Sequence, residues 1–392
     1  MRGLLDGVRV LDLSRVLAGP FGAQVLAEMG ADVVKVEFPP GDWARTTSPH
    51  LGERSLYFSS VNTGKRSVAL DPTTDEGRRR LDGLLAAADV VVENFRPQAA
   101  RELGLLPDQL LARHPRLVVV TVSGFARDSD RAEEPAYDVS IQAEAGLMSV
   151  TGEPGGAPVR AGVPISDLVA GLWAALGAAS GLVARTTSGH GAHIEVPLLD
   201  ATLPLLSYMA SSALHLGVDP PKVGSGHHVI TPYGAFPTRD GWVVIAVLAD
   251  KFWPSLCATL GLDGIGPDVR PELARNQARM AVRDEVESAV AAAVAPMTTA
   301  EAMARLAAAD VPHAPVRGLL DALSSPYVRH RGIVGTVEAP EGRYGVVQGP
   351  LHDGRPRRPA PALGQHTDEV LSDWGVDGED HRPAAAGEGH RG

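Results

Sequence analysis

The chain has 392 residues, 44% hydrophobic and 21% charged, proportions ordinary for a globular protein with a core large enough for two lobes. A formal net charge of −11 excludes general nucleic-acid binding and means that an anionic substrate needs a local basic site. The single cysteine, Cys257, excludes an intrachain disulfide and fits a reducing compartment, so a cytoplasmic location is expected. Leu256 and Ala258 flank it in an apolar helical pattern, which predicts a buried structural thiol. No charged-then-apolar leader opens the chain. Glycine or polar residues break each apolar stretch before about 18 positions, so no membrane span is expected.

In chain order, Val8 to Leu13 reads as a buried strand, Ala18-Gly19-Pro20-Phe21-Gly22 as a break, and Ala23 to Met29 as a helix. Asp32 to Glu37 and Ser67 to Leu70 follow as strands. Glu76 to Ala88 has helical spacing, and strands follow at Asp89 to Phe95 and Arg116 to Val122. This alternation predicts an α/β fold with a parallel sheet covered on both faces. Helical patterns then run over Ser140 to Met148 and Asp167 to Arg185, a strand over His193 to Val196, and a helix over Ala201 to Leu216. From about Val223 to Arg317 the character changes. One strand, Trp242 to Val247, precedes helices near Lys251 to Leu260, Arg270 to Val294 and Thr299 to Ala308, which predicts a smaller, mostly helical lobe. The Gly, Ala, Glu, Asp and His of 375–392 predict a disordered tail.

Two local patterns bear on chemistry. The first strand, its glycine turn, the helix and a second strand ending in Glu37 resemble a dinucleotide fold, with Glu37 eighteen positions after Gly19. Gly19 and Gly22 give only G-x-x-G, and Pro20 removes a donor where pyrophosphate would need backbone N–H groups. A nicotinamide cofactor is therefore a distant alternative. The second pattern is Asp167, within Gly162-Val163-Pro164-Ile165-Ser166-Asp167-Leu168-Val169-Ala170-Gly171, where a loop turns into an apolar helix. One reading makes it a helix cap. The other makes it a carboxylate kept ionised by the helix start and able to attack an activated acyl group.

The ordered set of motifs resembles family III CoA-transferases (CaiB/BaiF), the group containing formyl-CoA transferase and carnitine CoA-transferase. It comprises Leu11-Asp12-Leu13-Ser14-Arg15-Val16-Leu17-Ala18-Gly19-Pro20, Gly30 to Glu37, Gly64-Lys65-Arg66-Ser67 and Val92-Glu93-Asn94-Phe95-Arg96-Pro97. Tyr137-Asp138, Gln142-Ala143, Gly146-Leu147-Met148, Thr151-Gly152, Asp167 with Gly171, Gly189-His190-Gly191 and Leu363 to Leu371 continue it. The resemblance implies a Rossmann-like large lobe over 1–200 with 325–374 returning to it, a smaller α+β lobe over 223–320, and an interlocked homodimer. It implies CoA transfer from an acyl-CoA donor to a small carboxylic acid through a covalent aspartyl intermediate at Asp167. CoA is then a substrate, and no permanently bound cofactor or metal is expected.

By the same resemblance Leu70 to Thr73 line the adenine, Asn94 and Phe95 lie along the nucleotide, and Tyr137 and Asp138 sit beside the thioester. Lys65, Arg66 and Arg96 are candidates for the phosphates, and Arg15 for a substrate carboxylate or CoA. Glu102 stands where relatives carry a phosphate-binding arginine, leaving Arg101 as a substitute pointing about 100° away on the helix. Leu17 and Phe38 replace a glutamine and an arginine of formyl-specific members, which predicts a substrate other than formyl-CoA or oxalate. Gly224-Ser225-Gly226-His227-His228 replaces their glycine-rich loop. Its histidines can touch an acyl group but lack the neighbours of a metal site. The nearest rival is an α-methylacyl-CoA racemase, which uses a histidine where this chain has Tyr137, a weaker base at neutral pH. A non-catalytic acyl-CoA-binding protein is a further alternative.

Overall fold

The computed structural model describes residues 3–355 and 357–376, so the tail expected over 375–392 lies, from 377 on, outside the described residues. Two compact units divide the chain. The first runs up to Ala145, through Gly162–Leu206 and on from Tyr327; the second comprises Gly146–Ala161 and Ser207–Pro326.

The first unit opens with β1 (Arg9–Asp12), α1 (Ala18–Glu28), β2 (Asp32–Glu37), β3 (Arg66–Ala69), α2 (Asp75–Ala87), β4 (Val90–Glu93) and β5 (Val118–Ser123). Helices α3 (Asp138–Glu144) and α4 (Ile165–Ser188) and strand β6 (His193–Pro197) follow. The six strands form one sheet in the order β3-β2-β1-β4-β5-β6, with every neighbouring pair parallel. This is the doubly wound order of dinucleotide folds. Alternate residues supply opposite faces, as strand periodicity requires. Val10, Val33, Val90 and Val118 enter one core with α1 and α4, while Leu11, Val34, Val91 and Val119 enter the other with α2.

The crossing of α1 and α4 depends on two glycines. A Cβ on Gly22 would lie 2.8 Å from the Gly171 oxygen, and one on Gly171 would lie 2.7 Å from the Ala18 oxygen. The helices therefore meet backbone to backbone. Among the described residues, α4 is also the helix long and apolar enough to cross a membrane by length and composition, with a mean hydropathy of 1.6. Its scattered glycines and hydroxyls hid this from the sequence pattern. One face, including Ala170, Ala174 and Ala178, is buried on the first unit's core, whereas Leu172, Trp173, Leu176 and Val183 are exposed.

The second unit holds an antiparallel sheet, β9-β8-β7, of β7 (Tyr233–Thr238), β8 (Gly241–Ala246) and β9 (His313–Pro315). Helices α5 (Phe252–Leu260), α6 (Arg283–Val294) and α7 (Thr299–Ala308) pack their apolar residues with it around the fully buried Trp253. The expected single strand is thus corrected to three, in a unit that is otherwise mostly helical. Gly234 and Pro237 mask β7, and β9 is too short to show a period. The helix expected over Arg270 to Val294 breaks into Pro271–Ala274, Asn276–Ala281 and α6, with Arg279 buried on the Thr231 oxygen and Asp250. Cys257 is buried, and burial pushes its thiol up to about 12.

The chain then returns to the first unit as the hairpin β10 (Val334–Ala339) and β11 (Gly342–Val347) and the helix α8 (Thr367–Asp373). Val370, Leu371 and Trp374 complete the α2-side core. Arg66 bonds Asp32 of β2 and both Glu369 and Asp373 of the returning helix.

Candidate active site

In an open parallel sheet, ligands bind beyond the strand carboxyl ends where the strand order reverses. Here that point lies between β1 and β4. The loops leaving these strands, Arg15 to Ala18 and Asn94 to Pro97, wall a cavity of about 170 Å³ with Ser123, Glu134, Tyr137, Asp167 and Leu198. This volume accommodates an acyl group or the end of a thioester arm; a whole nucleotide thioester has to extend beyond it.

Asp167 stands in the first turn of α4, whose N-cap position is Pro164. The helix-cap reading is therefore corrected. The Asp138 carboxylate instead accepts from the Ser166 N–H at 2.9 Å, while its other oxygen accepts from Gln142 Nε2 at 2.7 Å. Asp167 itself receives no hydrogen bond and no cation among the described residues. Burial, and then the negative charge of Asp138, push its carboxyl up to about 7. Desolvation and a like charge thus favour the protonated form, against the expectation that the helix start keeps the carboxylate ionised. Tyr57, missed by the sequence reading, faces the same field. Burial, and then Asp167, Asp42 and Asp138, raise its phenol above the ordinary value.

The loop from β1 is held from below. Asp12 accepts from the Ser14 N–H at 3.1 Å and from the Ser14 hydroxyl. Lys65 Nζ donates to Asp12 at 2.7 Å, to the Pro20 oxygen at 2.8 Å and to Asn62 at 2.9 Å. Lys35 Nζ donates to the Ser14 oxygen at 2.7 Å and pairs with Asp42 at 3.2 Å. Burial pushes Asp12 up, but Lys65 and Lys35 outweigh it and hold the carboxyl below its ordinary value. Burial brings Lys65 down to about 8 against the pull of Asp12. The sequence signal for this layer was a lysine inside the apolar run of β2, Val33-Val34-Lys35-Val36.

The cavity collects Arg15, Asn94, Phe95, Arg96, Tyr137 and Asp167. Asn94 clamps Arg15 reciprocally, accepting from its N–H and donating to its carbonyl, both at 2.9 Å. The Arg15 guanidinium lies 5.3 Å from the Phe95 ring centre, and Phe95 stacks on Phe38. Neither Arg15 nor Arg96 has a carboxylate partner among the described residues. Leu70 and Thr73 stand at and just beyond the carboxyl end of β3, outside the cavity lining; Leu70 is buried, and Thr73 closes a turn on Asp71. Arg101 is exposed on the helix Pro97–Glu102, also outside the lining.

Two phosphate candidates are corrected. Lys65 is fully buried on Asp12, and Arg66 is committed to three carboxylates. Glu37 is likewise engaged through both oxygens: Oε1 accepts from Arg45 Nε at 2.8 Å and from the Asp42 N–H at 3.0 Å, and Oε2 accepts from the same guanidinium and from the Ser67 hydroxyl at 3.4 Å, so it is not poised for a ribose. In the second unit, His227 stacks on Tyr208 with ring centres 5.4 Å apart, and His228 Nε2 lies 2.9 Å from the Pro221 oxygen. No metal-binding cluster occurs among the described residues.

Known proteins resemble this chain over nearly its whole length. The chain is 34% identical over 385 residues to the succinate–glutarate CoA-transferase of Agrobacterium fabrum, covering 94% of this chain and 95% of that one. It is 37% identical over 325 residues to the acetyl-CoA:oxalate CoA-transferase of Acetobacter aceti, covering 82% of each. The crystal structure of a CAIB/BAIF family protein from Brucella suis superposes with a TM-score of 0.84 at 33% identity, covering 95% of this chain and 100% of that one. The sequence profile of CoA-transferase family III matches residues 5–367. The chain is a CoA-transferase and belongs to CoA-transferase family III.

Proposed function

We propose that Asp167 is the covalent nucleophile of CoA transfer. One observation supports this reading: a carboxylate in the switch-point cavity has neither a paired cation nor a hydrogen-bond donor among the described residues, and burial brings it up to about 7. A carboxylate left basic and unpaired is a better nucleophile than one neutralised by a lysine. Its oxygen attacks the donor thioester, the C–S bond breaks, and CoA leaves as the thiolate, giving a mixed anhydride. The thiolate attacks the aspartyl carbonyl, releasing the donor acid and forming an aspartyl thioester. The acceptor carboxylate attacks that thioester, and the thiolate takes the acceptor's acyl group, restoring Asp167. Water must stay out while either intermediate exists.

Arg15 and Arg96 supply the local positive charge that a chain of net charge −11 needs for anionic substrates. We propose small dicarboxylates as the acid class, supported by the names of the two relatives; oxalate belongs in the test although Leu17 and Phe38 argued against it. The exposed apolar face of α4 is proposed to be covered by a second copy rather than by lipid, within a cytoplasmic homodimer; sedimentation of the detergent-free protein tests this. Asp138 is proposed to act on the site through α4, and Leu70, Thr73 and Arg101 to meet the outer part of CoA.

The test of mechanism is incubation with succinyl-CoA, trapping with hydroxylamine or borohydride, and peptide mass spectrometry. Modification at Asp167 is expected, and an unmodified Asp167 during full turnover overturns the reading. A carboxyl near 7 also suits proton abstraction beside a thioester. Deuterium uptake by acyl-CoA without any acceptor acid would favour that isomerase reading.

A further inference from the structure

Val16 has φ +72°, a left-handed conformation that β-branched residues avoid. It lies in the loop whose residues Arg15 to Ala18 wall the cavity with Asp167. Asn94 fixes both backbone polar groups of the preceding residue, Arg15. The Val16 N–H donates to the Asp42 carboxylate, 3.1 Å from one oxygen and 3.3 Å from the other. Asp42 is fully buried, 3.2 Å from the equally buried Lys35, and caps the short turn Trp43–Thr46 through the Ala44 N–H. Lys35 in turn donates to the Ser14 oxygen two residues before Val16. A buried ion pair thus grips the loop on both sides of Arg15.

We infer that Asp42 is a positioning residue for CoA transfer: backed by Lys35, its carboxylate holds Val16 in the left-handed conformation that sets Arg15 and Leu17 against the cavity containing Asp167. A merely structural ion pair would give stability without needing the Val16 N–H. In this arrangement the strained residue and the ion pair depend on each other. The inference rests on Asp167 being the acylated group.

The experiment is a double-mutant cycle between Asp42 and Val16, read as kcat and KM with succinyl-CoA and glutarate, with thermal unfolding alongside. Asp42→Ala removes the acceptor. Asp42→Glu keeps the charge beside Lys35 while displacing the oxygens by a methylene, and serves where Asp42→Ala does not fold. Either change is expected to lower kcat about tenfold when residue 16 is valine. In the Val16→Gly background the same change should cost less than about twofold, because glycine adopts this φ unaided. The cycle cancels the loss of the valine side chain itself. Equal cost in both backgrounds, or a lower melting temperature with kcat intact, overturns the inference while Asp167 trapping in the wild type stands. Absence of that trapping overturns the mechanism and this inference with it.

Discussion

The floor of the β1 loop buries a carboxylate completely and the start of α4 shields one in part, and the two resolve that shielding in opposite ways. At the floor, Asp12 has Lys65 at 2.7 Å, Lys35 nearby and Ser14 hydrogen-bonded, so the charge is held below its ordinary value. At α4, Asp167 has no paired cation or donor among the described residues, and the charge that acts on it is another carboxylate, Asp138. Burial alone therefore marks neither group as reactive. What separates scaffold from site is whether the fold supplies a partner.

Removing the unpaired carboxylate should have the largest effect on activity. Asp167→Asn is expected to lower turnover by at least about a thousandfold, since the nucleophile itself is lost. Stability should move the other way. A carboxyl raised from 3.8 to about 7 binds protons more tightly folded than unfolded, so its contribution is retained below pH 4 and lost as pH rises through about 7. The variant should thus melt above the wild type at pH 8, and the difference should vanish near pH 4. Calorimetry at the two pH values checks this, and a lower melting temperature at pH 8 would sink the contrast.

Removing a partner at the floor should do the reverse. Lys65→Met leaves Asp12 buried beside Lys35 alone and strips an interaction from the Pro20 oxygen and from Asn62. Breaking one side of a buried pair costs about 3–5 kcal/mol. Denaturant unfolding should show that loss. A Lys65→Met/Asp12→Leu double variant should recover part of it, as expected when neither charge is left alone.

The same contrast explains what could be read from the sequence. The parallel sheet was legible because Val-rich runs such as Val90-Val91-Val92 are buried on both faces and bounded by turns. Asp167 was legible as a candidate because a lone carboxylate opens a long apolar helix. Its protonation was not, because burial, and then the charge of Asp138 29 positions earlier, both arise through tertiary packing. Lys65 and Arg66 looked like free cations, since their partners Asp12, Asp32, Glu369 and Asp373 come from remote strands and the returning helix. Asp42 drew no attention after Pro39-Pro40-Gly41, although it caps a turn and anchors Val16. The broken helix at Leu203–Leu206 was signalled by Pro204, which the apolar pattern from Ala201 to Leu216 overrode.

A smaller effect is expected at the cavity's cationic wall. Arg15→Leu keeps an apolar neighbour for Phe95 and removes the guanidinium. The KM for glutarate should rise about tenfold, and that for a monocarboxylate of similar length should rise less, because a charged hydrogen bond to the far carboxylate is lost. Equal losses for both acids would place Arg15 on CoA instead.

The subtlest change tests how α4 is tuned. Asp138→Asn removes the like charge but retains an oxygen for the Ser166 N–H, and Gln142 can turn its amide to accept from the new one. Attack needs the ionised carboxylate, so the rate of Asp167 acylation should rise with pH through about 7 in the wild type. In the variant this limb should move toward acid. It should stay above 3.8, because burial, the larger cause, is untouched. Asp138→Ala should move the limb similarly and also weaken the first turn of α4 by about 1 kcal/mol, since the Ser166 N–H loses its acceptor. Single-turnover acylation across pH 5 to 9 separates the two contributions. A limb that stays in place in both variants would mean that desolvation alone sets the nucleophile, and that Asp138 serves only as the acceptor that starts the helix.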